Sequence, residues 1–165
     1  MTDRELMTQI KRNRSEQAFE CLFERHKAMV TSVCRRVLNN EQAAQDAAQL
    51  TFITLFKKVE TLSDEVNPPG WLHRSAFLIS RNLKRKLAIQ ASRELEMAKI
   101  PEMNGDKGND NAWEELAPFL DEAVNQLSDK LREVVVLCFF EGKSRRQAAE
   151  ALNCSENTLA QRISR

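Results

Sequence analysis

The scarcity of glycine and proline is the feature that most constrains how this chain can fold. Only four glycines and four prolines occur among its 165 residues, and no useful length of sequence alternates apolar and polar residues as a half-buried strand would. Residues that favour helix, such as alanine, leucine, glutamate, glutamine, lysine and arginine, dominate instead. We therefore expect an all-α fold, and a chain of this length forms one ordinary domain or two small ones.

Apolar residues at steps of three and four predict three long helices in the N-terminal part of the chain. The first follows Ser15, a good N-cap residue, and ends near residue 40. The second covers about residues 41–62 and the third about residues 71–99. Between these two helices, residues 63–70 contain two adjacent prolines and a glycine, which predicts an ordered loop.

A change of composition after the third helix predicts a domain boundary. Residues 101–111, PEMNGDKGNDN, contain two closely spaced glycines and almost no apolar side chain, as is typical of a flexible linker. We therefore expect two small helical domains, at residues 1–98 and 113–165, joined by a linker at residues 99–112. Helical stripes of apolar residues resume beyond the linker.

The C-terminal residues carry the most specific local pattern. Ser144 and Gln147 form a capping box that starts one short helix, and Ser155 caps another. Asn153 suits the tight turn between the two helices because asparagine tolerates left-handed backbone angles. Such a helix-turn-helix with a polar outer face favours binding to duplex DNA. A plain helical hairpin with solvated arginines is the alternative.

The distribution of charge supports a nucleic-acid partner, although the net charge is only +1. Residues 71–99 carry seven basic and two acidic side chains, and residues 143–165 carry five basic and two acidic ones. Residues 100–126 carry one basic and seven acidic side chains. The neutral total therefore hides two basic segments separated by an acidic one.

No pattern in the sequence predicts an enzyme or a cofactor. The four cysteines include no CxxC pair and there are only two histidines, so the paired ligand spacing of a zinc site is missing. The sequence also lacks a glycine-rich phosphate loop and a nucleophile beside a plausible base. We expect a protein without catalytic residues, cofactors or bound metal.

The sequence contains no pattern of export or membrane insertion. Residues 1–14 carry charges of both signs without an apolar stretch, and no run of about 18 apolar residues occurs anywhere. We therefore expect a cytoplasmic protein without membrane insertion.

Three stretches of the sequence carry a family resemblance. Residues 45–52, QDAAQLTF, look like an acidic-Asp-x-x-Gln-x-x-Phe motif, and residues 70–74, GWLHR, are similar to a Trp-Leu-x-Arg motif. Residues 120–165 follow a C-terminal helix-turn-helix domain almost position by position. In this order, the three stretches resemble the extracytoplasmic-function class of bacterial sigma factors in the sigma-70 family, and the likeness covers residues 15–165.

The resemblance implies a transcription initiation factor with two DNA-reading domains. Residues 1–98 would form region 2, which binds the clamp helices of core RNA polymerase and opens the minus-ten promoter element. Residues 113–165 would form region 4, which reads the minus-thirty-five element as duplex, and the linker would run toward the RNA-exit path. Core RNA polymerase and promoter DNA are the implied partners, and members of the family commonly also have an anti-sigma factor.

The resemblance assigns polymerase binding to three residues of the second helix, Asp46, Gln49 and Phe52. It assigns minus-ten recognition to the loop and to the basic third helix, where Trp71 could instead belong to the core. The minus-ten candidates are Asn67, Trp71, His73, Arg74, Arg81, Asn82, Lys84, Arg85 and Lys86.

The helix-turn-helix supplies the candidates for minus-thirty-five recognition. Asparagine and glutamine can pair with adenine, arginine with guanine, and glutamate with cytosine, whereas lysine and arginine outside the last helix suit phosphates. These candidates are Lys143, Arg145, Arg146, Ser155, Glu156, Asn157, Gln161, Arg162 and Arg165.

Some features depart from the family pattern and keep other hypotheses open. Asn153 stands where the family usually has glycine, Cys138 stands where it often has arginine, and we expect the chain to be truncated at its C-terminus. A stand-alone helix-turn-helix regulator that binds duplex DNA as a dimer is the main alternative. A thiol-based redox sensor using Cys34 or Cys154 is a third hypothesis.

Overall fold

A computed structural model of the chain describes residues 1–98 and 112–164. Within these residues the chain forms eight α-helices and one π-helical turn without a β-strand, so the all-α prediction is confirmed. The helices are α1 (Asp3–Asn13), α2 (Glu16–Leu38), α3 (Glu41–Lys58), α4 (Pro68–Ala98), α5 (Ala112–Gln126), α6 (Asp129–Val135), α7 (Arg145–Ala151) and α8 (Glu156–Ile163), and the π-helical turn Val136–Phe140 continues α6. The predicted linker lies almost wholly outside the described residues. None of the described helices is long and apolar enough to cross a bilayer.

Capping side chains determine where most of these helices begin. Ser15 Oγ accepts a hydrogen bond from the Ala18 backbone N–H, which satisfies a donor at the start of α2. The predicted capping box of α7 is present, because Ser144 Oγ accepts from Gln147 N and Ser144 N donates to Gln147 Oε1. Asn153 has a φ of 51°, so it adopts the left-handed angle predicted for the turn before α8.

Three helices differ from the prediction. The sequence analysis assigns no helix to residues 1–14, yet α1 begins there with a capping box between Thr2 and Glu5. Helix α3 ends at residue 58 rather than 62. Helix α4 begins at Pro68 because a proline is tolerated in the first helical turn, where its missing N–H would have no partner.

The N-terminal helices enclose the larger core. Helices α2, α3 and α4 pack against one another, and α1 covers them with Leu6 and Ile10. Edge-to-face aromatic pairs cross from α2 to α3, with ring centroids 4.7 Å apart for Phe23–Phe52 and 5.2 Å for Phe19–Phe56. Each fully buried leucine of this core contributes about 2 kcal/mol of hydrophobic stabilisation.

A smaller core holds the helix-turn-helix together. Leu137 and Val134 meet Leu159 of α8, and Ala148 and Ala149 of α7 fill the space between these helices. The two alanines allow α7 and α8 to approach closely, as the sequence analysis infers for a helix-turn-helix.

The two parts of the chain are in contact. Val124 of α5 and Val136 of the π-helical turn are buried in the N-terminal core rather than in the smaller one. Helices α5 and α6 both pack against α4, and α5 also packs against α2. The sequence predicts two bundles joined by a linker, but it does not predict this contact.

The capping box of α7 generates a stability prediction. Replacing Ser144 with alanine removes the acceptor for Gln147 N, and we expect the free energy of unfolding to fall by about 1 kcal/mol. Urea unfolding followed by circular dichroism measures this change. Ser164→Ala is the matched control because its hydroxyl only donates to the Ala160 carbonyl after α8 ends. Equal losses in the two variants would contradict the capping role.

Candidate nucleic-acid and protein interfaces

One exposed strip of α3 combines polar and apolar side chains. Asp46, Gln49, Leu50 and Ile53 recur at steps of three and four, so they share one helical face. Leu50 is 49% exposed and Ile53 is 41% exposed, so the two form an apolar pair beside the polar side chains. We call these four residues the α3 strip. Its composition suits contact with another protein.

Phe52 does not belong to the α3 strip, which corrects the sequence assignment. It is only 3% exposed and packs edge-to-face on Phe23 of α2. The reason is geometric, because Phe52 lies on the same inward face as Ala48 and Leu55. Leu50 and Ile53 provide the apolar area that the sequence analysis assigns to Phe52.

The exposed side of α4 carries the predicted basic surface. The residues on it that the sequence analysis selects for minus-ten DNA are all exposed, namely Arg74, Arg81, Asn82, Lys84, Arg85 and Lys86. The Arg81 guanidinium lies 5.6 Å from the centre of the Phe77 ring, so its charge is held over an aromatic face. We call these six residues the α4 basic face. It can neutralise phosphates and present one amide to a base edge.

His73 and Trp71 do not lie on the α4 basic face. His73 is fully buried, and its Nε2 lies 3.1 Å from Asp121 Oδ1 on α5. This finding corrects its assignment to minus-ten DNA, because the arrangement leaves no ring nitrogen accessible. Trp71 is half-buried and packs against the N-terminal core, which is the alternative that the sequence analysis left open.

The loop before α4 faces the helix-turn-helix. Asn67 Nδ2 lies 3.5 Å from the carbonyl oxygen of Ala151 in α7, while its Oδ1 is buried without a partner among the described residues. A β-carbon added at Gly70 would lie 2.9 Å from Cγ and 3.3 Å from Cα of Glu133 in α6. The end of the predicted minus-ten loop, from Asn67 to Gly70, therefore lies against α6 and α7, whereas residues 63–65 are exposed.

The helix-turn-helix presents its predicted DNA-binding residues unevenly. On α8, Glu156, Asn157 and Gln161 are exposed, as are Arg145 and Arg146 on α7. Arg162 is half-buried and faces the cleft that leads to Asn67.

Two candidates at the edges of this surface already have partners. The Lys143 ammonium lies 3.1 Å from Glu141 Oε2. Ser155 Oγ accepts a hydrogen bond from Thr158 N, so it caps α8 as predicted. Arg165 lies outside the described residues.

A buried charge cluster that the sequence analysis missed joins the two parts of the chain. The Asp121 carboxylate is fully buried and accepts from Arg36 Nε at 2.8 Å and from Arg36 Nη2 at 2.9 Å, in addition to His73. Burial alone would raise the pKa of Asp121, but the hydrogen bonds from His73 and Arg36 outweigh this effect and hold the pKa below its usual value. We call Arg36, His73 and Asp121 the first cluster.

A second cluster centres on His26 of α2, which is also fully buried. Its Nε2 lies 2.9 Å from Asp3 Oδ2 on α1, and its Nδ1 lies 2.5 Å from Glu141 Oε1 beyond the π-helical turn. Carboxylates only accept hydrogen bonds, so both ring nitrogens donate, which requires the charged imidazolium. Burial alone would lower the pKa of His26, but the two carboxylates outweigh it and raise the pKa above 6.5.

No local pattern in the sequence predicts either cluster. The partners are 85 residues apart for Arg36 and Asp121, and 115 residues apart for His26 and Glu141. The one available signal was a histidine at an apolar helical position, which both His26 and His73 provide. A buried histidine needs a polar partner, but its identity depends on the tertiary packing.

The cysteines do not favour redox sensing through Cys34. This side chain is fully buried, and burial raises the pKa of its thiol, so the reactive thiolate is disfavoured. In the part of the chain that the structure describes, no three His, Cys, Asp or Glu side chains are grouped so that they could hold a metal ion.

Comparison with known proteins points to one family. The family models of Sigma-70 region 2 and of Sigma-70, region 4 match residues 22–88 and 120–165. The chain is 27% identical over 147 residues to the ECF RNA polymerase sigma factor SigE of Mycolicibacterium smegmatis. It is 28% identical over 156 residues to RNA polymerase sigma factor NccH of Alcaligenes xylosoxydans xylosoxydans, and 26% identical over 159 residues to ECF RNA polymerase sigma factor SigW of Bacillus subtilis.

These relatives differ in how much of their own length is matched. The matches cover 87%, 91% and 91% of this chain, but 56%, 83% and 85% of SigE, NccH and SigW respectively. The chain therefore spans little more than half the length of SigE. Among solved structures, CnrH in complex with the cytosolic domain of CnrY aligns with 98% of this chain and 90% of that chain, at 22% identity and a TM-score of 0.49.

Neighbouring residues of α3 allow a direct test of which side chains are structural. Phe52→Ala removes a buried ring, and we expect the free energy of unfolding to fall by about 3–5 kcal/mol. Ile53→Ala removes an exposed side chain, and we expect a change within about 0.5 kcal/mol. Urea unfolding of both variants measures the difference. A larger loss for Ile53→Ala than for Phe52→Ala would contradict the orientation of α3.

Proposed function

The chain belongs to the sigma-70 family, in its extracytoplasmic-function group, and from this premise we propose that it binds core RNA polymerase and directs promoter-specific transcription initiation. The observation that carries the proposal is the match to both sigma-70 regions in their family order, each on a part of the chain with its own exposed surface. Residues 1–98 act as region 2 and residues 113–165 as region 4.

We assign polymerase binding to the α3 strip. Asp46 and Gln49 offer a carboxylate and an amide to a polar partner, and Leu50 and Ile53 add apolar area beside them. A strip that joins apolar area to one carboxylate and carries no basic side chain suits a protein rather than DNA as its ligand. Phe52 contributes only by packing α3 against α2.

We assign minus-ten recognition to the α4 basic face and to Asn67. Separating stacked bases costs a few kcal/mol per step, so the unpaired strand must be held by compensating contacts. Arg81, Lys84 and Arg85 can hold its phosphates, and Asn82 can accept and donate at a base edge. His73 has no direct role because its ring is buried against Asp121.

We assign minus-thirty-five recognition to α8 and phosphate contacts to α7. Asn157 and Gln161 lie one turn apart on the exposed side of α8, and Glu156 lies beside them in its first turn. Arg145 and Arg146 project from the start of α7, where a duplex backbone would pass. Both helices are short, so the contact would cover only a few base pairs.

Membership of the sigma-factor family also supports inferences about whether this chain is an enzyme, where it acts and which further partner it binds. Sigma factors are initiation factors, and we infer that this chain catalyses no reaction itself because the polymerase performs the chemistry of RNA synthesis. We also infer that it acts in the cytoplasm, where core polymerase and promoter DNA are found. An anti-sigma factor is a further partner that we propose on family grounds.

The decisive experiment for this function is run-off transcription with core RNA polymerase. We expect the chain to form a complex with core enzyme in gel filtration and to produce a transcript that depends on promoter sequence. The alternative, a stand-alone regulator, predicts instead a dimer on a palindromic duplex and no complex with the core enzyme. That outcome would overturn the proposal.

The α3 strip provides the first mutational prediction. Replacing both Leu50 and Ile53 with alanine removes exposed apolar area, and we expect affinity for core polymerase to fall at least tenfold, which is about 1.4 kcal/mol. Leu87 and Ile89 of α4 are 42% and 48% exposed, so their double alanine variant is a matched control. Fluorescence anisotropy of labelled chain with core enzyme measures both affinities. Equal losses would exclude the α3 strip as the specific contact.

The helix-turn-helix provides the second prediction. Asn157→Ala should cost about 1–3 kcal/mol at one base pair of the preferred upstream element and little elsewhere. Arg145→Ala should weaken binding to all sequences similarly and lower the salt slope by about one. A panel of minus-thirty-five variants, measured with holoenzyme at several salt concentrations, separates the two effects. A uniform loss for Asn157→Ala would contradict its assignment to a base.

A further inference from the structure

Helix α1 carries none of the proposed contact surfaces, yet two basic side chains at its C-terminal end reach the chain between α3 and α4. We call residues 59–67 the α3–α4 loop, since α3 ends at residue 58 and α4 begins at residue 68. We propose that Lys11, assisted by Arg14, is a positioning residue that holds this loop in the shape that receives an unpaired base of the minus-ten element. The role rests on the proposed function, from which it takes the contact between this loop and the unpaired strand.

Lys11 binds the α3–α4 loop at two points. Its Nζ donates a hydrogen bond to the carbonyl oxygen of Leu62 at 2.6 Å and to Asp64 Oδ1 at 2.5 Å. The Lys11 side chain is only 17% exposed, so the ammonium group lies against the protein rather than in solvent. A bond to a main-chain carbonyl fixes the path of the backbone as well as the position of a side chain. One charged donor therefore joins two residues of the loop to α1.

Arg14 holds the other end of the loop, where α3 ends. Its Nη1 donates to the Phe56 carbonyl oxygen at 2.9 Å, and its Nη2 lies 2.6 Å from Glu60 Oε1. The guanidinium also lies 4.9 Å from the centre of the Phe56 ring. The last carbonyl groups of a helix have no partners within it, so a donor from α1 stabilises the end of α3.

Helix α1 gives these two contacts a firm support. Leu6, Met7 and Ile10 are buried in the N-terminal core, and Lys11 follows directly after Ile10. The capping box at the start of α1 satisfies its first backbone donors. The support for the loop therefore comes from within region 2.

The α3–α4 loop has little other attachment to region 2. Apolar packing on the N-terminal core extends to Leu62, whereas residues 63–65 are exposed. Within residues 1–98, all of which the structure describes, no side chain from outside the loop other than Lys11 and Arg14 hydrogen-bonds it or forms an ion pair with it. The position of the exposed residues therefore depends on α1.

The charge of α1 also prepares the loop for DNA. The hydrogen bond from Lys11 holds the pKa of Asp64 below its usual value, and the charges of Arg4 and Arg12 add to this effect. The carboxylate therefore stays ionised and paired at neutral pH. Its pairing with Lys11 reduces the repulsion that an unpaired carboxylate would exert on the phosphates of a strand approaching the α4 basic face.

A loop that is already fixed binds a strand more strongly than a loop that must become ordered on binding. Ordering a flexible segment costs conformational entropy, which lowers the affinity. We therefore expect the loss of Lys11 to weaken the capture of the base. Binding to core polymerase should be unchanged, because the α3 strip includes neither Lys11 nor any residue of the loop.

Hydrogen exchange of the full chain tests the contact without polymerase or DNA. Lys11→Met keeps an unbranched side chain but removes the donor, and we expect the Leu62 and Val66 amides to exchange about tenfold faster. These amides donate to the carbonyl oxygens of Lys58 and Ser63. Amides in α2 should keep their protection.

Lys27→Met is the matched control for the loss of a lysine. Lys27 Nζ also makes a 2.6 Å contact, but with Glu24 on the exposed surface of α2. We expect the exchange of the loop amides and the binding of the strand to be unchanged in this variant.

The base itself provides the second measurement, made with core polymerase and a labelled single-stranded minus-ten oligonucleotide. Removing each base in turn identifies the position at which the unmodified chain loses most affinity. We expect Lys11→Met to weaken binding of the intact strand about tenfold, which is about 1.4 kcal/mol. The same variant should weaken binding of the strand that lacks the sensitive base by less than about twofold. A merely structural role would lower the affinity for both strands equally.

Two further variants check that the donor is responsible. Lys11→Arg keeps a charged donor at this position, so it should bind the intact strand within about threefold of the unmodified chain. Arg14→Met should show the same dependence on the base as Lys11→Met, with a smaller loss because the Arg14–Glu60 pair is partly exposed.

The outcomes separate the positioning role from the proposed function. A chain that forms no complex with core polymerase would overturn the proposed function and, with it, the capture of a base. A complex in which Lys11→Met behaves like Lys27→Met, in both exchange and strand binding, would overturn only the positioning role. Equal losses on the intact strand and on the strand that lacks the sensitive base would also overturn it.

Discussion

The buried carboxylate of Asp121 is the interaction on which the arrangement of this chain depends. Moving a carboxylate from water into a protein interior costs several kcal/mol unless cations and donors surround it. Arg36 of α2 and His73 of α4 provide these partners. Asp121 lies on α5, which comes after the linker in the sequence, so the interaction joins the two parts of the chain. A single charged group therefore fixes how α5 crosses α2 and α4, and α6 and the helix-turn-helix follow from that crossing. Removing one partner of such a group usually destabilises a protein by 3–5 kcal/mol, about as much as removing a large core side chain.

The same crossing separates surfaces that are free from surfaces that are covered. The α3 strip and the outer side of α4 face solvent, and so do Asn157 and Gln161 on α8. Asn67 is half-buried, because the end of its loop lies against α6 and α7.

Local physics made most of the fold predictable from the sequence. Apolar spacing and capping residues such as Ser15 and Ser144 located the helices to within a few residues, and the capping box identified the helix-turn-helix.

The errors in the site assignments have one cause. The spacing of apolar residues along a helix shows which face is apolar, but it does not show which helix or partner packs against that face. Phe52 was assigned to a partner although it fills the bundle, and His73 was assigned to DNA although it meets Asp121. Helix α1 was missed because a short, highly charged segment has few apolar residues, although its Thr2–Glu5 capping box was present. The two charge clusters could not be predicted, since their partners lie 85 and 115 residues apart and no local rule pairs them.

The central proposal is that one chain carries separate surfaces for polymerase and for promoter DNA, namely the α3 strip, the α4 basic face and the exposed side of α8. The most direct measurement is an electron cryomicroscopy structure of the chain bound to core polymerase and promoter DNA, in which the partners of the α3 strip are read from the map. The account predicts that Leu50 and Ile53 contact the polymerase, that the α4 basic face lies along the unpaired strand and that the packing of α2 on α3 is unchanged. An α3 strip that stays exposed to solvent in a complex with open promoter DNA would contradict it.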